Sequence, residues 1–177
     1  MLSSILSRSD CAKCRFCCSF RRTSLWETPR FEPQLLERLR RDYPEAKFRK
    51  VSTLAGKDSW TIDLSGRYKT DDPDEEVLCW FNHGKGCILG EDEPFDCKTW
   101  PVQLMDKDGE LVIVLTPTCP VVSPKPIEEV RALVDSGLAK KMLEYASRFP
   151  EYVRDYYEGH KDRPVLAVIE GGQLRRD

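Results

Sequence analysis

Two histidines, three methionines and no long apolar run deprive this 177-residue chain of several common devices. No stretch approaches the ~20 consecutive apolar residues that a bilayer crossing needs, so no membrane span is expected. Residues 1–10 (MLSSILSRSD) hold no apolar segment of signal-peptide length, which predicts a cytoplasmic chain. Gly84, Gly86 and Gly90 do not make a phosphate loop, because neither Gly-x-x-x-x-Gly-Lys-Ser/Thr nor a Gly-x-Gly-x-x-Gly after a strand is present. Nucleotide binding therefore has no support. No basic stripe with interleaved aromatics argues for nucleic acid. The chain also shows no repeat of whole units, no paired acid and base, and no nucleophile beside a base, so a non-enzymatic role is favoured and the partner, protein or small molecule, stays open.

What remains is the balance of one α+β domain: 33% charged and 40% hydrophobic residues, at a length that buries roughly 70% of the unfolded surface. The net charge of −2 hides an asymmetry. Residues 1–50 carry twelve Lys or Arg against six Asp or Glu, and residues 71–110 carry three against twelve, so +6 faces −9. The two segments should attract; a solvated charge run in each is the equally weighted alternative.

Cysteine is plentiful. Half of the eight thiols fall in CAKCRFCC, at Cys11, Cys14, Cys17 and Cys18. Two-residue gaps let the backbone turn tightly enough for successive sulfurs to converge on one inorganic centre. Cys79, Cys87, Cys97 and Cys119 are scattered. Eight thiols permit two four-ligand sites, of tetrathiolate zinc or of [4Fe-4S], or one site with bystanders. A disulfide framework fits poorly with a chain this long and without a leader. A redox pair at Cys14 and Cys17 lacks the preceding strand of a thioredoxin-like setting. Isolated buried cysteine explains one or two thiols, but not four in eight residues.

In chain order, Ser19–Arg30 reads as a connecting loop and PQLLERLRRDYP as a short helix from Pro33 with Leu35, Leu36 and Leu39 on one face. Trp60, Ile62 and Leu64 alternate as in a half-buried strand. Residues 71–76 (DDPDEE) read as a solvated acidic turn rather than a calcium or magnesium site. CWFNHGKGC, from Cys79 to Cys87, predicts a tight hairpin turning at Asn82, His83 and Gly84, with a thiol at each foot. His83 could replace a thiolate, although a turn histidine facing water is favoured. Val102–Met105 and Glu110–Leu115 predict a second hairpin, and Cys119 is followed by Pro120, as cluster cysteines in bacterial ferredoxins often are. Beyond Pro126 the apolar spacing is helical (Ile127, Val130, Leu133, Val134, Leu138, Met142, Leu143), with a break at Gly137 and a last short helix from Pro150 through Tyr157, ended by Gly159. Pro164–Glu170 predicts a final strand before a polar tail.

These motifs resemble the bacterial CxxCxxCC proteins, described as zinc- or iron-chelating domains. Such proteins open with Cys-x-x-Cys-x-x-Cys-Cys and later carry a cysteine-hairpin-cysteine segment ending in a further cysteine, a basic residue, an aromatic and proline, here Cys79, Cys87, Cys97, Lys98, Trp100 and Pro101. The pattern departs at Glu93-Pro94, where the family shows Arg-Pro, and the gap from Cys87 to Cys97 is a residue longer. The resemblance covers residues 10–120 and implies a thiolate-bound metal or iron–sulfur centre without a defined reaction. Flagellin lysine N-methylases, which use S-adenosylmethionine, are a longer branch similar to this pattern, but no methyl-donor fingerprint is visible here.

The expectation is a compact α+β protein of one domain, with a cysteine-rich module of short hairpins over 10–120 and a helical and strand extension over 121–177. It holds a [4Fe-4S] cluster, or zinc as the alternative, through Cys11, Cys14, Cys17, Cys18, Cys79, Cys87, Cys97 and Cys119, in a structural or electron-transfer role, with a cluster-dependent enzyme related to the lysine N-methylases as the other alternative that the resemblance leaves open. Iron is favoured because zinc sites usually pair two Cys-x-x-Cys knuckles. Adjacent Cys17 and Cys18 are expected to project apart, so that a distal thiol joins one of them.

Overall fold

Apolar spacing, proline and glycine fix most element boundaries. The computed structural model of the chain describes residues 2, 4–53, 56–156 and 163–175. The chain divides into two compact units. One comprises Ser7–Val51 and Asp58–Lys98; the other comprises Met1–Leu6, Ser52–Lys57 and Thr99–Asp177. The unit boundary lies at 98/99, some twenty residues before the division at 120 expected from the last cysteine.

In the first, cysteine-rich unit, helix α1 (Arg8–Cys14) is followed by a 3-10 turn, Phe16–Cys18, and by strand β1 (Ser19–Phe20). The segment expected to be a loop thus contributes β1 and a 3-10 helix, Arg22–Glu27. Helix α2 (Pro33–Asp42) runs as its pattern predicts, with proline in its first turn and Leu35, Leu36 and Leu39 buried. Strands β2 (Phe48–Ser52) and β3 (Asp58–Ile62) form a two-stranded sheet, and β4 (Val77–Leu78) pairs antiparallel with β1. Helix α3 (Phe95–Thr99) carries Cys97. The core joins Phe20, Phe31, the three α2 leucines, Ile62, Leu64, Val77, Cys79, Phe81 and Leu89. Phe81 is its hub, with ring centroids 5.5 Å from Tyr43, 6.0 Å from Phe31 and 5.2 Å from Trp80. Edge and tilted ring contacts of this kind add to the stabilisation from burial.

The second unit is built on a five-stranded sheet in the order β7-β5-β6-β8-β9, comprising β5 (Val102–Lys107), β6 (Glu110–Leu115), β7 (Arg154–Asp155), β8 (Val165–Glu170) and β9 (Gln173–Arg175). The expected β5–β6 hairpin forms, with β6 as predicted and β5 running two residues further, to Lys107. Asp108 (φ 56) and Gly109 (φ 92) alone make the turn, as a two-residue hairpin requires. β6 is central and its Val112–Leu115 run is buried throughout. Helices α4 (Ile127–Leu133) and α5 (Ala139–Arg148) flank a π turn broken by Gly137 (φ 123), the expected break. The last short helix is only the 3-10 turn Pro150–Tyr152, because the chain then extends into β7; Tyr157 and Gly159 lie outside the described residues. The expected polar tail instead supplies β9. Among the described residues no helix is long and apolar enough to cross a membrane.

Candidate metal centre

The path that presents the first four thiols starts at Ser7. Its hydroxyl accepts the Asp10 N–H and the Asp10 carboxylate accepts the Ser7 N–H, both at 3.2 Å, a reciprocal cap that starts a helix only seven residues long. Arg15 (φ 57) ends it in the left-handed region, its N–H on Cys11 O at 2.9 Å. Cys11 and Cys14, three apart on α1, are exposed, and the following 3-10 turn sets Cys17 and Cys18 half-buried.

Beyond Cys18 the chain enters β1, whose register places Ser19 opposite Leu78 and Phe20 opposite Val77. Continuing that ladder by one residue sets Cys18 beside Cys79, and the Cys79 N–H donates to Cys18 O at 2.6 Å. The charges of the two segments hold this seam. Arg21 reaches Asp74 (3.2 Å) and Glu76 (3.1 Å), while Arg22 donates to the carbonyls of Thr70 and of Asp72 (2.9 Å) and lies 4.2 Å from the Tyr68 ring centre. Glu75 turns inward to accept the backbone N–H groups of Lys69 and Thr70. The acidic turn is therefore clipped to the basic segment, as the opposite charges suggested.

The segment from Cys79 to Cys87 is not the expected hairpin but a turn closed by a single bridge, Asn82 to Cys87, with the Ile88 N–H on Phe81 O at 2.9 Å. Four residues, 83–86, separate the bridged pair, and two of them, Gly84 (φ 86) and Gly86 (φ 109), take the positive φ that glycine permits. Gly86 also lies flat on α1: a Cβ there would stand 3.3 Å from the Ala12 Cβ, so glycine permits the close approach that brings Cys87 in. Asn82 is buried. Its N–H donates to Cys79 O (2.9 Å), its amide oxygen accepts the Gly84 N–H (2.9 Å), and its side chain bonds the Cys18 sulfur. His83 is exposed, its ring 5.8 Å from that of Trp80. The fourth thiol comes from α3, where the Asp96 carboxylate accepts the Arg30 N–H at 3.1 Å next to Cys97.

Four thiols from four separate segments, Cys18, Cys79, Cys87 and Cys97, thus fall within one another's electrostatic reach, every pair included. Cys18 and Cys87 pack against the core that contains Cys79. Burial pushes Cys79 up to about 12 and Cys87 up to about 11. Cys97 is exposed on α3, and desolvation by the surrounding protein and the charges of the neighbouring sulfurs hold its thiol well above the ordinary range. Cys17 donates to Cys18, which raises Cys17 and, with the Asn82 contact, lowers Cys18. The adjacent pair therefore meets rather than projecting apart, because a 3-10 turn does not alternate side chains as a strand does. Cys17 also lies near Cys97 and Cys11. Glu93, at the position where the related pattern has arginine, raises Cys18 and Cys87 by its negative charge.

Of the eight expected ligands, seven lie in the cysteine-rich unit; Cys119 is buried in the other, just after β6. As the side chains are set, no group of three or more His, Cys, Asp or Glu among the described residues is close enough to hold a metal ion. Sequence reasoning read Asn82 only as a turn residue, weighed Gly86 only against a phosphate loop and placed Arg22 in a connecting loop; their partners, Cys18, Ala12 and the carbonyls of Thr70 and Asp72, lie 64, 74, 48 and 50 residues away in the chain. No family model matches the chain, and no curated protein or solved structure is found similar to it.

Proposed function

We propose that the cysteine-rich unit binds a metal centre through thiolates, a [4Fe-4S] cluster in first place, in a structural or electron-transfer role. The observation that carries this reading is the four-way neighbourhood of Cys18, Cys79, Cys87 and Cys97. Four soft sulfur donors match the ligand count of a cubane cluster and of tetrathiolate zinc. The resemblance to the CxxCxxCC proteins supports the same chemistry.

Spacing favours the cluster. With Zn–S near 2.3 Å, a tetrahedral ion needs its sulfurs about 3.8 Å apart, and among the described residues no three such side chains stand ready to hold an ion. A cluster spreads its thiolates over its corners and asks for less rearrangement. Bound there, it would place negative charge beside Asn82, a donor already aimed at Cys18. The test is anaerobic purification followed by iron, sulfide and zinc analysis and a visible spectrum. Iron and acid-labile sulfide in equal amounts with a broad visible band are expected; stoichiometric zinc without that band contradicts the cluster, and no metal at all contradicts the reading.

A further inference from the structure

The five-stranded sheet of the second unit carries a row of side chains that crosses four strands. Asp155 of β7 stands opposite Asp106 of β5, Asp106 opposite Leu111 of β6, and Leu111 opposite Ile169 of β8. Residues directly opposite on neighbouring strands share a face, and all four line one cavity of about 560 Å³. The floor is therefore graded, from two carboxylates at the β7 edge to two aliphatic side chains towards β8. Leu143, Ala146 and Ser147, spaced i, i+3 and i+4, present one face of α5 to the same cavity. Thr53 and Lys57 join the lining from a loop closed by the Thr53 N–H on Lys57 O at 2.9 Å. All of these residues belong to the second unit, and the volume falls in the ~300–1,000 Å³ range of small-molecule sites.

We propose that this cavity binds a small primary amine with an apolar body, independently of any metal in the cysteine-rich unit. Like charges directly opposite in a sheet repel, and an ammonium lying over Asp106 and Asp155 offsets that repulsion while its three N–H donors serve both carboxylates. The Gly109 N–H donates to Asp106 Oδ1 at 2.6 Å and so orients one of the two from the adjoining turn. The apolar body of the ligand then lies between Leu111 and Ile169 on the sheet and Leu143 on the helix, removing aliphatic surface from water. A bare divalent cation would leave that apolar part unused. Among the described lining residues two carboxylates face one ammonium, that of Lys57, so an anionic ligand meets the wrong net charge, and Lys57 opposes the amine without cancelling its attraction.

Titration calorimetry of the full chain with phenethylamine tests this, with phenethyl alcohol as the matched neutral probe and hydrocinnamate as the anionic one. The amine is expected to bind, and the alcohol to bind about tenfold more weakly, as the loss of a charge-assisted contact implies. Asp106→Asn and Asp155→Asn, which keep the side-chain shape, should each weaken the amine by a similar factor and leave the alcohol unmoved. Ser147→Trp, at an exposed position on the α5 wall, should fill the cavity and abolish binding of both, while Lys57→Met, also exposed, should tighten the amine. An alcohol or an anion bound as tightly as the amine overturns the proposal. So does an amine affinity unmoved by the two Asn substitutions or by Ser147→Trp, or no uptake of the amine at millimolar concentration.

Discussion

Asn82 joins three thiol-bearing segments: its backbone holds Cys79 O, it bridges to Cys87, and its side chain bonds the Cys18 sulfur. Removing the amide leaves the Gly84 N–H without its 2.9 Å acceptor and Cys18 with the Cys17 thiol as its remaining side-chain donor. Asn82→Ala should therefore cost about 1–3 kcal/mol in denaturant unfolding and make the bound metal easier to strip with a chelator. Unchanged stability and retention would reduce Asn82 to a turn former. The sequence did mark this position, since Asn-His-Gly is turn chemistry. It could not show the role, because the Cys18 sulfur is 64 residues away in the chain and only the β1–β4 pairing brings it near. The cysteines drew the expectation of a ligand set for the opposite reason: thiol spacing alone carries that signal.

At the scale of elements, β1 and β4 contribute two residues each, too few to hold a pairing by their own ladder. The seam depends on Arg21 and Arg22, which are not equivalent. Arg21 is half-exposed and pairs with carboxylates that are 78% and 46% exposed, so each pair contributes at most about 1 kcal/mol. Arg22 caps two carbonyls and covers the Tyr68 ring. Arg22→Ala should destabilise by about 1–3 kcal/mol and lower metal retention, whereas Arg21→Ala should have a smaller effect that fades at high salt. Equal effects of the two would remove this account of the seam.

The same clip predicts a pH response. Two backbone N–H groups, first Lys69 and then Thr70, hold Glu75 below its ordinary 4.5. Its contribution is present above pH 4.5 and is lost as pH falls through the depressed folded value. Protection of the amides over residues 69–76, taken against the intrinsic exchange rate at each pH, should therefore fall in acid, and Glu75→Gln should flatten that response; no flattening would place the acid sensitivity elsewhere. Charge counting anticipated the attraction between the two segments. It could not identify which arginine would lie against carbonyls and a ring rather than in water, because that depends on the turn at 69–76.

For the whole molecule, the periodic elements were the legible part. Helix α2, the β5–β6 hairpin, β8 and the Gly137 break follow from apolar spacing and glycine, and the α+β class with them. The division at 98/99 was not legible, because the last cysteine drew the expected module to 120 while β5 and β6 belong by pairing to the five-stranded sheet. That division has a thermodynamic consequence. Thiolate metal sites in small zinc-folded peptides contribute on the order of 10–16 kcal/mol, against ~5–15 kcal/mol of net stability for a typical domain. Stripping the metal should speed amide exchange across β1, β4 and residues 79–98 and leave β5, β6 and β8 protected. Uniform exchange before and after would make the centre an accessory.

The central claim is that the thiols of the cysteine-rich unit hold an inorganic centre, and native mass spectrometry of the anaerobically purified chain tests it most directly. The account predicts a mass exceeding that of the polypeptide by four irons and four sulfides, lost on acidification and absent from a Cys18→Ser/Cys97→Ser variant. A native mass equal to that of the bare chain, or an added mass that survives in that variant, would contradict it.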